Sequence, residues 1–403
     1  MKKTAQTKLD KFLQRGDRSR DFSKPMLLKL SKSADKAALS KLVEKGAVQH
    51  VVDDYREQLL EYFQVQNPSL VYHPSFQNEF RIHLEKLESK APFLEQGTWV
   101  YFPWLSTLSH ILDEEAFFAT RTTRNKNLIT AEEQERYYNA LVGIAGLSVG
   151  NSAALNLVLS GGARRIRLAD FDALALSNTN RVRTGVQSLG LKKAEITARE
   201  IYTINPYAQV ELFSDGLTKE NIDAFFNGKG GKLDVVIDEI DNIAVKCLIR
   251  EKAKKYRVPL VMAADNGDNG VVDIERYDLD PKLPFFHGRI GKVSYAKLAK
   301  LDKFGIGRTI TQHIGPENIT ERMQESLEEM GKTIVSWPQL GAAALLNGAA
   351  IAYCVRRIVN GQELERNRSI ISLDALLIPS YGSAAQKKRR AKLSKAFAQR
   401  FGL

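Results

Sequence analysis

Cysteine is nearly missing from this chain: 403 residues hold two, Cys247 and Cys354. With no Cys-x-x-Cys pair, a four-cysteine zinc site is excluded, and so low a count suggests a reducing compartment, with a cytoplasmic location expected. Histidine is scarce too. His50, His73, His83, His110 and His313 have no metal-ligand spacing. His287 stands alone in Leu283-Pro284-Phe285-Phe286-His287-Gly288-Arg289, where a structural hydrogen bond is expected ahead of a substrate contact. The charged start Met1-Lys2-Lys3-Thr4-Ala5-Gln6-Thr7-Lys8 has no apolar core of the secretory kind after it. The longest apolar run, residues 340–355, contains Asn347 and stops at Arg356-Arg357, so it reads as a buried helix with no membrane span expected. There is no convincing internal repeat.

What is present is an ordinary globular composition, 43% hydrophobic, long enough for one large domain and smaller pieces. The net charge of +12 is unevenly placed: residues 1–45 carry +8 and residues 386–403 carry +7, leaving −3 for the body between them. Such ends suit nucleic acid, an anionic membrane or an acidic partner. Solvated, partly disordered ends are the plainer reading. No aromatic residue interleaves Lys387-Lys388-Arg389-Arg390 as a base-stacking platform requires.

Up to about Ser106 the pattern predicts helices over residues 51–63 and 76–87, a break at Asn67-Pro68-Ser69, and an aromatic strand over residues 98–102. A basic loop, Arg121-Thr122-Thr123-Arg124-Asn125-Lys126-Asn127, then precedes Thr130-Ala131-Glu132-Glu133, a capping box that should open a helix. From Leu141 strands and helices alternate: strands at 141–145, to 169, 210–213, 234–237, 260–263 and 271–274, helices to 159 and at 192–204, 221–226 and 245–256. The expectation is an α/β fold, a Rossmann-like, mainly parallel sheet with helices on both faces, plus an N-terminal α+β extension. Its divisions are a basic tail over 1–45, an α+β segment over 46–120, a nucleotide-binding domain over 121–385 and a basic tail over 386–403.

Within that alternation lies an ordered series of signals. Gly146-Leu147-Ser148-Val149-Gly150 turns a buried strand into a helix, and small residues there admit a phosphate to main-chain N–H groups and to the positive helix end. Twenty residues after Gly150, Asp170 ends the next strand, where a mononucleotide fold keeps its ribose acceptor. Ser177-Asn178-Thr179-Asn180-Arg181, Gly190-Leu191-Lys192-Lys193-Ala194 and Asp238-Glu239-Ile240-Asp241-Asn242 follow in order. Asp170 and Asp241 can also serve as helix N-caps, and Asp172 suits a turn.

As a set, these motifs resemble the ThiF-type adenylyltransferases, which activate ubiquitin-like and sulfur-carrier proteins and include a tRNA threonylcarbamoyladenosine dehydratase branch. The resemblance covers residues 121–275. It implies ATP and Mg²⁺ as cofactors, with Gly146, Ser148 and Gly150 in the phosphate turn and Asp170 on the ribose. It also implies Asn178, Arg181 and Lys193 on the phosphates, Asp241 as the magnesium ligand, and Asn242 supporting that turn. Arg121 and Arg124 resemble the family's Arg-x-x-Arg element, which reaches into the partner's site of a homodimer. Arg181, Lys193, Asp241 and Arg124 would be the catalytic residues. The implied partner is the C-terminus of a ubiquitin-like or sulfur-carrier protein, a peptide, or a small or tRNA-borne acid; the Asn178-Thr179-Asn180-Arg181 wording is closest to the tRNA-modifying branch.

The chemistry agrees. A carboxylate attacking the α-phosphate of ATP brings two anions together, so fixed positive charge and a metal are needed and a protein nucleophile is not. Cys247 and Cys354 lie in apolar helical settings that argue against a thioester relay. Three features depart from the family pattern: fewer glycines in the turn, Val182 after the arginine where glutamine is common, and the missing zinc cysteines. An oxidoreductase or accessory subunit holding NAD or FAD on this fold, and a nucleotide-binding module without catalysis, remain open alternatives.

Overall fold

The computed structural model describes residues 24–365 and 367–403, together with Lys8; much of the basic N-terminal stretch falls outside the described residues. The N-terminal part builds a small sheet from β1 (Met26–Leu28), β2 (His50–Asp53), β3 (Thr98–Phe102) and β4 (Thr107–Ile111), in the order β1-β3-β4-β2. Helices α1 (Ser33–Glu44), α2 (Tyr55–Gln66) and α3 (Phe76–Glu88) accompany it. The helix expected to begin at Val51 therefore begins at Tyr55. Val51 and Val52 are β-branched and pair in parallel with Leu108 and Ser109, and this sheet pairing prevails over the helical pattern.

Helix α4 (Glu114–Arg121) and then α5 (Ala131–Asn139) lead into the larger unit. α5 opens on the expected capping box, with Thr130 and Glu133 exchanging side-chain and backbone hydrogen bonds. Strand β5 (Leu141–Ala145) is followed by α6 (Val149–Leu159), β6 (Arg165–Ala169), α7 (Lys193–Ile204), β7 (Gln209–Phe213), α8 (Ile222–Asn227), β8 (Val235–Asp238), α9 (Ile243–Tyr256) and β9 (Leu260–Asn266). Strand β10 (Asn269–Glu275), the longer helices α10 (Lys303–Ile314), α11 (Glu321–Glu328) and α12 (Gly341–Val359), strand β11 (Arg368–Ile371) and helix α13 (Ala384–Phe401) follow, with short helical turns at Tyr295–Leu298 and Leu373–Leu377 between them.

Seven strands pair in the order β7-β6-β5-β8-β9-β10-β11. The first five run parallel, and β10 and β11 join antiparallel. Val142 and Ile144 face one core with residues of α6, α7 and α12, while Leu141 and Ala145 face another with α8 and α9. Burial on both faces is why β5 and β8 read as unbroken apolar runs. The fold is the expected Rossmann-like α/β type. Helix α12 is long and apolar enough to cross a membrane by length and composition; half of it is buried, and Gly348 lies directly against the backbone of Ser152 on α6. The C-terminal residues also depart from the expected disorder. They form α13, whose Phe397 is buried beside Ile314 and Met323 because one apolar side pays for docking an otherwise basic helix.

Candidate active site

Parallel strands β6 and β5 precede their helices on one side of the sheet's midpoint and β8 and β9 on the other, so the chain switches direction between β5 and β8. In open α/β sheets the crevice beyond the strand ends at this point is where ligands bind. Three strand ends are tied together there: Gly146 N–H donates to Ala169 O (2.8 Å) and Glu239 N–H to Ala145 O (2.7 Å). Gly146 has φ +85°, and a Cβ on it would lie 2.3 Å from Glu239 O, so only glycine fits.

The turn differs from the expected phosphate cradle in two ways. The N–H groups of Gly146 and Leu147 are already used, the latter donating to Asp170 Oδ2 (2.7 Å). Gly150 lies inside α6, where a Cβ would sit 3.1 Å from Ile144 Cγ2; it serves helix-to-strand packing instead of phosphate approach. The N–H groups left for an anion are those of the first turn of α6, which have no intrahelical partner.

Asp170 is buried and receives a second N–H from Asp172 (2.8 Å) at Oδ1. Burial raises its carboxyl above the usual range, opposed by nearby Lys193. Lys193, buried at the first position of α7, donates to Asp172 Oδ2 (2.8 Å), so Asp172 steadies the lysine. Arg181 donates from Nε to Ser148 Oγ (2.7 Å) and from Nη1 to Asn180 Oδ1 (2.9 Å). Burial lowers its pKa, opposed by Asp241 and Asp265. Asp241 is exposed on the loop after β8. Neither Asp170 nor Asp241 caps the following helix. That task belongs to Asn242, whose Oδ1 accepts from Ala244 (3.0 Å) and Val245 (3.1 Å) at the start of α9.

Two adjoining cavities occupy the crevice. One, of about 190 Å³, is lined by Gly146, Ser148, Asp170, Lys193, Asp241 and Asn242 among others. The second, of about 300 Å³, shares Ser148, Glu239, Ile240 and Asp241 with the first and extends toward α10. Asn178 lines neither. Its Oδ1 accepts from Ala175 N–H (3.1 Å), which closes its own turn and leaves that oxygen committed. Arg121 donates to Val158 O (2.5 Å) at the end of α6 far from the crevice, and Arg124 is exposed in the adjoining loop. Neither meets its own chain's site.

Other site residues escaped the sequence reading. Glu239 is mostly enclosed, lines both cavities and accepts from Ala263 N–H (2.7 Å); burial pushes its carboxyl well above the usual glutamate range. The available signal was an acidic residue directly after a buried strand. Asp265 is buried, accepts from Asn347 (2.6 Å) and Gln339 (3.2 Å), and is likewise raised by burial. Lys246 is tied to Asp238, which also pairs with the wholly buried Arg250 (2.6 Å). His287 is structural as expected, bonded to Ile274 O (3.0 Å). Cys247 and Cys354 are free and buried, and burial pushes each thiol up to about 11. Among the described residues no cluster of three or more His, Cys, Asp or Glu side chains forms a metal site.

Residues 122–278 match the ThiF family. The chain carries a ThiF-family domain. Proteins similar to it include an uncharacterized protein of Mycobacterium tuberculosis, 39% identical over 283 residues, which are 70% of this chain and 39% of that protein. A tRNA threonylcarbamoyladenosine dehydratase of Bacillus subtilis is 29% identical over 44% of this chain and 68% of its own length. A sulfur carrier protein adenylyltransferase of Thermus thermophilus is 27% identical over 40% of this chain and 56% of its own. The chain thus spans about two fifths of the first relative and about half of the last. A solved Escherichia coli tRNA N6-threonylcarbamoyladenosine dehydratase in complex with ATP aligns with a TM-score of 0.41 and 21% identity, over 60% of this chain and 94% of that one. The matched residues run from the loop before α5 to just past β10 and contain Asp170, Arg181, Lys193 and Asp241.

Proposed function

We propose that the crevice binds ATP with Mg²⁺ and transfers the adenylyl group to a substrate carboxylate, giving an acyl-adenylate for an external nucleophile. The observation that carries this reading is the convergence of Asp170, Lys193 and Asp241 on one cavity at the sheet's switch point, with Arg181 outside its lining but bonded to Ser148, which lines it. Asp170 retains acceptor capacity for ribose hydroxyls, and the small cavity beside it suits the nucleoside. Arg181 and Lys193 supply fixed positive charge where the carboxylate oxygen attacks the α-phosphorus and the bond to pyrophosphate breaks. Magnesium is commonly held by one or two carboxylates plus phosphate oxygens, which a lone exposed Asp241 fits. When bound it would neutralise the leaving pyrophosphate.

No thioester step is needed: both cysteines are enclosed, with thiols unfavourable to ionise. The names of the relatives support a sulfur-carrier protein, a ubiquitin-like protein or a tRNA-borne acid as substrate, and the low cysteine count supports a cytoplasmic setting. Arg121 lies near the far end of α6, about 15 Å from its N-terminus by helix rise. Any role for Arg121 or Arg124 therefore falls to a partner's site in a two-fold homodimer. The test is thermal shift with ATP, NAD and FAD in parallel, followed by pyrophosphate exchange. Stabilisation by ATP with Mg²⁺ is expected; stabilisation by NAD or FAD alone would reject the reading.

A further inference from the structure

The adenylyl-transfer reading fills the smaller cavity and leaves the larger one without an occupant. That cavity, about 300 Å³, is largely apolar. Ile306, Ile310 and Ile314 project into it from successive turns of α10, joined by Phe286, Met262 and Trp337. Its size sits at the lower end of small-molecule sites, enough for a side chain and far too small for a folded domain. It also opens onto the reacting end of the crevice, because Ser148 and Asp241 line both cavities.

Most polar groups in its wall are already engaged with the protein, the exceptions being Asp241 at the rim shared with the smaller cavity and Nδ1 of His313. Asp265 is held by Asn347 and Gln339, Lys246 by Asp238, and His313 by Asp273 (3.0 Å). What the wall still offers a ligand is mainly apolar contact.

We propose, resting on adenylyl transfer at this crevice, that the larger cavity holds an apolar side chain of the acid being activated. The substrate is then a carboxylic acid bearing a branched or aromatic group of single-residue size, either free or at the C-terminus of a peptide. A tail ending in glycine has nothing to fill this space, and its transition state would gain none of the binding that an apolar wall provides. Displacing poorly held water from such a wall by an apolar group favours binding.

The experiment uses the full chain with ATP and Mg²⁺ and compares pyrophosphate exchange across three kinds of acid. These are 4-methylpentanoate and 3-phenylpropanoate, peptides ending in Leu or Phe, and glycine-ended controls (N-acetylglycine and Ala-Gly-Gly). The apolar acids should exceed the glycine-ended ones in kcat/KM by about 10²-fold, as filling a hydrophobic pocket commonly achieves. Free acids and peptides form separate arms, and a preference in either supports the proposal and identifies the source. Ile310→Phe should lower exchange with 3-phenylpropanoate at least about tenfold while keeping the ATP-dependent thermal shift. Ile310→Ala, which enlarges the cavity, should move the preference from 4-methylpentanoate toward 3-phenylpropanoate. An ATP shift with no preference for apolar acids overturns this inference alone. So does loss of the ATP shift in folded Ile310→Phe, since the nucleotide would then occupy the cavity. A wild-type chain with neither ATP shift nor exchange fails the underlying reading and the inference with it.

Discussion

The N-terminal sheet and the crevice each bury polar side chains, and they use them in opposite ways. His110 is 1% exposed, stacked between Tyr55 (4.1 Å) and Trp99 (4.2 Å), with one ring nitrogen bonded to Asp53 and the other to Gln96 O, each at 2.9 Å. Its hydrogen-bonding capacity is spent inside the fold. At the crevice Asp170 holds the phosphate turn yet still lines a cavity, and Asp241 stands exposed beside Arg181. Burial by itself therefore does not separate structure from chemistry in this chain. The separating feature is whether a polar group retains capacity toward open space at the strand ends.

The sharpest test of that contrast is Lys193→Ala. Removing one preorganised charge should cut pyrophosphate exchange by roughly 10² to 10³, and unchanged exchange in a folded variant would break the assignment. His110→Ala probes the other side. It should cost about 3 kcal/mol in denaturant unfolding, as emptying a buried aromatic site does, while the ATP-dependent thermal shift persists. A lost shift in the folded variant would erase the contrast.

The dimer reading makes a middle-sized prediction. Verified heterodimers of Lys193→Ala and Arg124→Ala protomers should regain about half of wild-type exchange, because one of two sites keeps both groups. No recovery, with each single variant inactive, would reject a contribution in trans.

A smaller effect concerns Glu239, whose carboxyl is raised above its unfolded value by burial. Its contribution to stability is fully present below the unfolded glutamate pKa and is lost as pH rises through the higher folded value. Wild type should lose stability relative to Glu239→Gln as pH climbs from about 4.5 toward neutrality, read from parallel denaturant melts. Parallel curves would show that Glu239 is not held neutral. The smallest effect is none: a Cys247→Ala, Cys354→Ala double variant should keep full exchange, and a dithiothreitol-sensitive conjugate seen only in wild type would contradict that.

The alternation from Leu141 to Asp273 was legible because strands covered on both faces leave continuous apolar runs, and each helix between them carries its own period. The motif order led to Asp170, Arg181, Lys193 and Asp241 for the same reason: each lies at or soon after an element boundary that the pattern reveals. Local chemistry hid the rest. Asn178 looks like a ligand in sequence but its Oδ1 accepts a backbone N–H of its own turn, whereas Asn242 supports its turn as expected. Edge strands β2 and β11 are four residues each, too short to announce themselves. The larger cavity assembles residues near positions 148, 240, 263, 310 and 337, and only tertiary packing brings these together.

The docking of α13 changes what its basic residues mean. Phe397 anchors the helix, Arg389 pairs with Glu321, and Arg400 pairs with Glu328 on α11. The remaining cations, Lys387, Lys388, Arg390, Lys392 and Lys395, are therefore carried on a fixed rod advancing about 1.5 Å per residue. A polyanion meeting this end would encounter a ruler with set spacings, and a partner's charge pattern would have to match it in register as well as in sign.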